Sequence, residues 1–225
     1  MREPYISPVR EVVNLTFHGV GTPPPSIPEA ETRYWVSQNM FHSILDLAAL
    51  HQDVRLTFDD GNSSDVELAL PALRARKLTA AFFVLAGRLD QRGSVSRQDL
   101  RTLRENGMIV GLHGMNHVPW REIDEGQLTV ELVDSRKLIE DATGDRIDWA
   151  ACPFGSYGRH VLRRLESERF ERVFTSDRGP VRDDAWLQAR NTIQAADDCD
   201  SVQQVINNRR VGLHRRIKLL LKRSR

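Results

Sequence analysis

The sequence predicts an α/β fold in which mainly parallel strands alternate with helices. Short β-rich runs and helical patterns follow one another from one end of the chain to the other, which is typical of repeated strand–helix units. The length of 225 residues suits one domain, because single α/β barrels often reach this size. The pattern alone does not choose between an open doubly wound sheet and an incomplete barrel. In either architecture the chemistry gathers at the carboxyl ends of the strands.

Seven runs carry the strand pattern. Each is short and rich in residues that favour strands, and helical candidates separate most of them. The second run, VRLTFDD, ends on two adjacent acids and is followed by Gly61, which permits a tight turn. The predicted strands cover residues 12–18, 54–60, 80–86, 108–114, 148–153, 172–177 and 186–193.

Five helices are predicted between these strands. Ser96 and Gly107 are suitable cap residues for the third of them. The proline-rich stretch TPPPSIPE, residues 22–29, predicts an extended loop instead, because consecutive prolines fix φ and lack backbone donors. The predicted helices lie near residues 37–50, 64–77, 96–106, 125–142 and 158–169.

The composition is that of a soluble globular protein, with 40% hydrophobic and 28% charged residues. The two cysteines, Cys152 and Cys199, form no recognisable framework, so the fold needs no disulfide. The first residues, MREPYISPVREVVN, contain no apolar segment before a cleavage site, and no run of 18 apolar residues occurs. We therefore expect neither classical export nor membrane spanning, and a cytoplasmic location.

The C-terminal residues differ electrostatically from the rest of the chain. Residues 209–225 hold eight Lys or Arg and no acid, which leaves the remainder at a net charge of about −7. We predict one catalytic domain over residues 1–205 and a basic helical tail over residues 206–225. Two interpretations of the tail stay open: a helix on an anionic membrane surface, or a solvated helix whose apolar side packs on the body.

Metal-capable and proton-transfer side chains recur where the predicted strands end. Such a set would rarely arise from unselected strand ends, and the topology brings it to one rim. The residues at these positions are His18, Asp59 with Asp60, His113 with His117, Pro153, Asp177 and Arg190.

The stretch GLHGMNH places His113 and His117 four residues apart. Its glycines and Pro119 make a regular helix improbable, so a strand-to-loop bend must bring the two imidazoles together. Two imidazoles and one carboxylate form the smallest protein shell of a catalytic zinc site. One acid of the Asp59–Asp60 pair can then bind the metal while the other takes a proton from water. Alternatively, both acids cap the following helix and the histidines are polar loop residues.

Two stretches resemble motifs of the polysaccharide deacetylase family, which is carbohydrate esterase family 4 and is also described as nodulation-protein-B-like. TFDDG, with Asp59, Asp60 and Gly61, is similar to the first motif, and HGMNH, with His113 and His117, to the second. The resemblance runs in order over about residues 12–195. It implies a distorted (β/α)7 barrel that hydrolyses an N-acetyl or O-acetyl group on a sugar. It also implies that Asp59 is the catalytic base and that Asp60, His113 and His117 bind the metal.

The third motif departs from the family pattern. The family usually has Arg-x-Pro-Tyr-Gly, whereas this chain reads ACPFG at residues 151–155, so the arginine that steadies the base is missing. The backbone N–H of Phe154 still matches the family's oxyanion donor, which does not depend on the side chain. Arg190 on the last predicted strand could replace the lost cation. It could equally be a surface arginine beside Asp177 or Asp183.

The family's general acid is a histidine in a Leu-x-His motif near the C-terminus. The GLH that ends at His214 has the wrong spacing and lies in the basic tail. His18, at the end of the first strand, is better placed, and some relatives with a permuted motif order look similar there. The alternative is a buried, hydrogen-bonded strand histidine.

Aromatic side chains near the third motif and the second histidine could form a wall for a sugar. We predict that Tyr157 and Trp120 contact the substrate; the alternative is core packing, which is the commoner fate of such residues.

These features together predict a hydrolase with a divalent cofactor, for which Zn²⁺ is the first expectation, although such sites accept several ions. The expected partner is an acetylated sugar or oligosaccharide, with no nucleic acid and with peripheral membrane contact through residues 206–225. Two competing interpretations stay open: a carbohydrate-binding relic that has lost turnover, and a hydrolase of a non-sugar C–N bond. Bound metal without acetate release would favour the relic over the deacetylase. Activity on N-acetylglucosamine oligomers would reject the hydrolase of a non-sugar C–N bond.

Overall fold

A computed structural model gives the structure of the protein and describes residues 10–25, 27–208, 219, 221 and 222. Seven of the ten described strands run parallel and close into a barrel in the order β1, β4, β5, β6, β7, β8 and β10. The closure joins the last strand to the first, with Asn14 opposite Arg190. The ten strands are β1 Glu11–Phe17, β2 Gly19–Val20, β3 Trp35–Val36, β4 Val54–Asp60, β5 Ala80–Val84, β6 Ile109–Leu112, β7 Trp149–Ala151, β8 Arg172–Thr175, β9 Val181–Arg182 and β10 Leu187–Thr192.

Helices connect the barrel strands and cover the outside of the barrel. The predicted cap at Ser96 is confirmed, because its hydroxyl accepts from the Asp99 N–H while the Asp99 carboxylate accepts from the Ser96 N–H. Two predicted helices contain a π-helical turn, at Asp65–Ala69 and Val130–Asp134. The helices are α1 Glu29–Thr32, α2 Gln38–Ala49, α3 Leu70–Ala75, α4 Arg97–Glu105, α5 Glu125–Thr129, α6 Ser135–Thr143, α7 Arg159–Ser167 and α8 Cys199–Asn207.

The core lies on both faces of the barrel wall. Successive strand residues point to opposite faces, so Phe82 and Phe83 of β5 separate into different clusters. Phe82 stacks on Phe58 at 4.6 Å between ring centroids, in the layer under the helices. Phe83 lies 4.8 Å from Phe174 in a smaller cluster. The seven-stranded parallel barrel confirms the predicted fold class and resolves the choice between barrel and open sheet.

Three features of the fold did not follow from the sequence pattern. The segment between residues 19 and 36 forms a small parallel pair, β2 with β3, beside the carboxyl end of β1. Strand β9 pairs antiparallel with the start of β1. Helix α8 runs to Asn207 with Ile206 fully buried, so the body extends slightly past the predicted boundary at residue 205.

Most of the predicted basic tail lies outside the described residues. Lys222, which is described, contacts the body: its Nζ atom donates to the Gly155 carbonyl at 2.9 Å and to Asp177 at 2.8 Å. Among the described residues, no helix combines the length and apolar character needed to cross a membrane.

Candidate active site and metal centre

The two acids of TFDDG close strand β4 and are both buried, with Asp59 3% and Asp60 7% exposed. Successive strand side chains would point to opposite faces, but Asp60 has φ of 76° and Gly61 has φ of 69°. This left-handed turn ends the alternation. Both carboxylates consequently approach the same histidine, with His113 Nε2 at 3.5 Å from Asp60 and 3.9 Å from Asp59.

His113 follows β6 and is 1% exposed. Its Nδ1 atom lies 2.8 Å from the Ala151 carbonyl oxygen, which can only accept, so Nδ1 carries the proton and Nε2 presents a lone pair. Burial lowers the pKa of His113 to about 4, against the charges of Asp59 and Asp60, which raise it. The imidazole is therefore neutral near pH 7, which is the form that binds a metal.

His117 completes a group of three possible ligands with Asp60 and His113. Its Nε2 atom lies 3.4 Å from Asp60 Oδ1, and one ligand atom from each of the three residues lies within 4.8 Å of the others. Ligand atoms about 2.1 Å from a tetrahedral ion lie about 3.4 Å apart, which matches the distances of His113 Nε2 and His117 Nε2 from Asp60 Oδ1. Asp60 Oδ1 is also buried without a hydrogen-bond partner among the described residues. The three side chains therefore fit a divalent cation.

Arg190 of β10 forms a two-pronged ion pair with Asp59. Its guanidinium donates to both carboxylate oxygens, at 2.6 and 2.7 Å, and Arg190 is 1% exposed. Burial acts to raise the pKa of Asp59, but the charge of Arg190 and its hydrogen bonds, with the nearby imidazole of His113, bring it to about 2. Arg190 is therefore not a surface arginine beside Asp177 or Asp183, because it is buried and its guanidinium is bonded to Asp59.

His18 lies at the carboxyl end of β1 and faces the same cavity as the two acids. Its ring stacks on Tyr34 with centroids 4.9 Å apart. The buried Nδ1 atom of His18 has no hydrogen-bond partner among the described residues. His18 thus lines the cavity, and its Nδ1 lacks the hydrogen bond expected of the strand histidine considered above.

Phe154, in the altered third motif, also lines the cavity. Its backbone is left-handed, with φ of 56°, and the residue is 61% exposed. The ring lies 4.3 Å from His117 between centroids. Gly155 follows with φ of 61°, and an added Cβ there would lie 2.8 Å from Ser176 Cβ, so the turn has no room for a larger residue.

Two sequence-predicted substrate contacts are not in the cavity. Tyr157 is fully buried, and its hydroxyl donates to Asp177 at 2.6 Å. Trp120 is fully buried as well, and its indole N–H points to Glu131 at 3.4 Å. The placement of both residues does not support contact with a sugar, because each ring is used in packing.

The cavity above the metal ligands has a volume of about 250 Å³. Several of its wall residues were not predicted; they lie between β2 and α2, just after β4, and at or just after the ends of β8 and β10. No periodicity marks such positions in a sequence. These residues are Glu31, Tyr34, Trp35, Asn62, Ser176, Arg178, Thr192 and Gln194.

Comparison with known proteins gives one consistent family. The family model described as polysaccharide deacetylase matches residues 49–173. The chain is 27% identical over 119 residues to the peptidoglycan-N-acetylglucosamine deacetylase PgdA of Listeria monocytogenes, covering 52% of this chain and 25% of that protein. The chain spans about half the length, or less, of the curated relatives it matches.

Solved structures share the fold. The deacetylase PplD of Streptococcus pyogenes superposes with a TM-score of 0.77 at 17% identity, covering 88% of this chain and 99% of that one. BC0361, a polysaccharide deacetylase from Bacillus cereus, gives a TM-score of 0.78 at 17% identity, covering 88% and 70%. The family model matches more than half of this chain, and the chain therefore belongs to the polysaccharide deacetylase family.

Proposed function

We propose that this protein is a metal-dependent deacetylase that removes the acetyl group from an N-acetylated sugar of a polysaccharide or its precursor. The observation that carries the proposal is the cluster of Asp60, His113 and His117 directly beside an arginine-paired Asp59. Family membership supports deacetylation, and the cluster supports the metal. Zn²⁺ is the first expectation, because two imidazoles and a carboxylate suit it.

Asp60, His113 and His117 would hold the ion. A divalent ion at this position supplies Lewis acidity, which activates water and polarises a carbonyl group. Asp59 is ionised at neutral pH, since its pKa is lowered to about 2, and it accepts the proton of the attacking water. Arg190 fixes both carboxylate oxygens, so Asp59 is held in one orientation.

A carboxylate with so low a pKa keeps a proton only briefly, so the proton must pass to another group. His18 is the further imidazole on the cavity wall and is our candidate for the general acid that protonates the departing amine. An amine needs such a donor, because an amide anion is a very poor leaving group. The Phe154 backbone N–H is our candidate for the donor that stabilises the developing oxyanion.

The placement of Arg190 weakens the main reason for a lapsed enzyme. That interpretation started from the missing arginine of the third motif, and Arg190 supplies a buried guanidinium to the same carboxylate from another strand. We therefore favour a working hydrolase over a carbohydrate-binding relic.

The test is acetate release from N-acetylglucosamine oligomers, with the parent protein and Asp59→Asn loaded with zinc. We expect the parent to release acetate and Asp59→Asn to lose at least about 100-fold in kcat, because the amide cannot accept the proton. Zinc-loaded parent protein that releases no acetate from any acetylated amino-sugar would contradict the proposal. Release at an equal rate by Asp59→Asn would contradict the role of that residue.

A further inference from the structure

We propose that Glu131 is a positioning residue that shapes the loop between His113 and His117 and thereby sets the affinity of the site for its metal. The inference concerns the metal cluster of the proposed function and rests on it. Glu131 lies 18 residues past His113 on a different element, the π-helical turn Val130–Asp134.

The Glu131 carboxylate accepts hydrogen bonds from the loop through both oxygens. The Met115 N–H donates to Oε2 at 2.9 Å, and the Asn116 N–H donates to Oε1 at 3.0 Å. The Asn116 side-chain amide adds a bond to Oε1 at 3.0 Å, and the Trp120 indole approaches Oε2 at 3.4 Å. Two consecutive backbone amides of the metal-ligand loop thus find their acceptor in one side chain.

Glu131 is a buried acid whose carboxylate depends on its hydrogen bonds with the loop. Glu131 is 2% exposed, and no Lys, Arg or His among the described residues forms an ion pair with it. A buried carboxylate is costly unless hydrogen bonds satisfy it, and charge-assisted bonds are about twice as strong as neutral ones. The loop and the carboxylate therefore stabilise each other.

The geometry of the loop requires such an acceptor. Gly114 has φ of 95° and His117 has φ of 55°, so the chain bends sharply over the three residues between the two ligands. A Cβ at Gly114 would lie 2.3 Å from Glu131 Oε2, which shows how closely the carboxylate lies against the loop. With the Met115 and Asn116 amides fixed, the backbone of His117 is held where its Nε2 reaches Asp60.

The π-helical turn brings Glu131 to this position. The turn interrupts the helical run between α5 and α6, and the Ser135 hydroxyl donates to the Glu131 carbonyl, which adds a side-chain bond at the wide turn. The glutamate can then project at the loop while Leu132, the next residue, stays in the core.

The test compares zinc affinity in Glu131→Gln and the parent, measured by competition with a chelator. A glutamine offers one acceptor oxygen and turns an NH2 group toward N–H donors, so the loop loses half of its acceptors. We expect zinc binding to weaken by about 10- to 100-fold, the usual effect of losing a group that orients metal ligands. The matched control, Glu105→Gln on the exposed end of α4, should bind zinc like the parent.

A second readout needs no metal. In the metal-free variant, hydrogen exchange at the Met115 and Asn116 amides should be faster than in the parent, while amides of β5 should be unchanged. Parent-like zinc affinity together with parent-like exchange in folded Glu131→Gln would overturn the inference. If that variant does not fold, Glu131→Asp decides: it keeps the charge but shortens the side chain away from the Met115 and Asn116 amides, and parent-like zinc affinity there overturns the inference.

The two proposals can fail separately. Zinc binding that depends on Glu131 in a protein that releases no acetate would reject the proposed function and leave this inference in place. Normal acetate release with zinc affinity independent of Glu131 would do the reverse.

Discussion

Three non-glycine residues of the site, Asp60, His117 and Phe154, have left-handed backbone conformations. Such conformations cost on the order of 1–3 kcal/mol each and persist where the surrounding structure enforces them. Two of them belong to the proposed metal cluster, and the third carries the proposed oxyanion donor. The backbone strain therefore lies at the residues whose side chains or amides point into the cavity. The surrounding fold has to stabilise these conformations.

His18 gives a prediction at the residue scale that separates chemistry from structure. We expect His18→Gln to lower kcat for N-acetylated sugars by about 100- to 10⁴-fold, because the amine leaves without a proton donor. The loss should be much smaller for an activated acetyl ester such as nitrophenyl acetate, whose leaving group needs no proton. Steady-state kinetics on both substrates make the comparison. Equal losses on the two substrates would argue that His18 supports the fold or binds substrate and does not act as the acid.

At the scale of elements, the decisive contact joins β10 to β4 across β1. The closure of the barrel places Arg190 opposite Asn14, and Asp59 lies on the other neighbour of β1, 131 residues away in sequence. Arg190 also lies over the rings of Phe83 and Phe174, at 5.3 and 5.8 Å from their centroids. The arginine therefore fills the barrel interior below the site while it fixes the acid above it.

This ion pair predicts a non-additive effect on stability. Arg190→Met should destabilise the protein by about 3–5 kcal/mol, because it leaves the Asp59 carboxylate buried and unpaired. The double variant Asp59→Asn with Arg190→Met should be more stable than Arg190→Met alone, since the remaining group is neutral. Urea unfolding of the four proteins in the cycle gives the coupling. Strictly additive losses would show that the two residues do not depend on each other.

The sequence could predict what is local. Period and composition located all seven barrel strands and the main helices, because those signals lie within each segment. The acid pair and the two histidines followed from their positions at or near strand ends, and the family resemblance singled out Asp60 as the ligand. The structure brings Asp60, His113 and His117 together. The sequence left two interpretations of Arg190, a replacement for the missing third-motif arginine or a surface residue. The choice between them depends on how the barrel closes, which no local pattern shows. The burial of Trp120 and Tyr157 could not be foreseen, because tertiary packing decides whether an aromatic ring is buried.

The whole molecule should lose stability in mild acid through His113. Its pKa is about 4 in the folded protein and about 6.5 when unfolded, so between these values the unfolded chain binds more protons. The free energy of unfolding therefore falls as pH drops from about 6.5 to 4, by up to about 3 kcal/mol at about 1.4 kcal/mol per pH unit. Asp59, with its pKa lowered to about 2, adds a further loss only below about pH 4.

Urea unfolding of the metal-free protein at several pH values measures this dependence. The His113→Gln variant should show a shallower decline between pH 6.5 and 4, since glutamine does not titrate. A decline of the same steepness in both proteins would assign the acid sensitivity to other groups.

The central claim is that Asp60, His113 and His117 hold one divalent ion while Asp59 stays free of it. Elemental analysis of protein equilibrated with zinc and freed of excess ion tests this directly, with the parent, Asp60→Asn and Asp59→Asn side by side. We predict one zinc per chain in the parent and in Asp59→Asn, and little or none in Asp60→Asn. Zinc lost equally from both variants, or absent from the parent, would contradict the account.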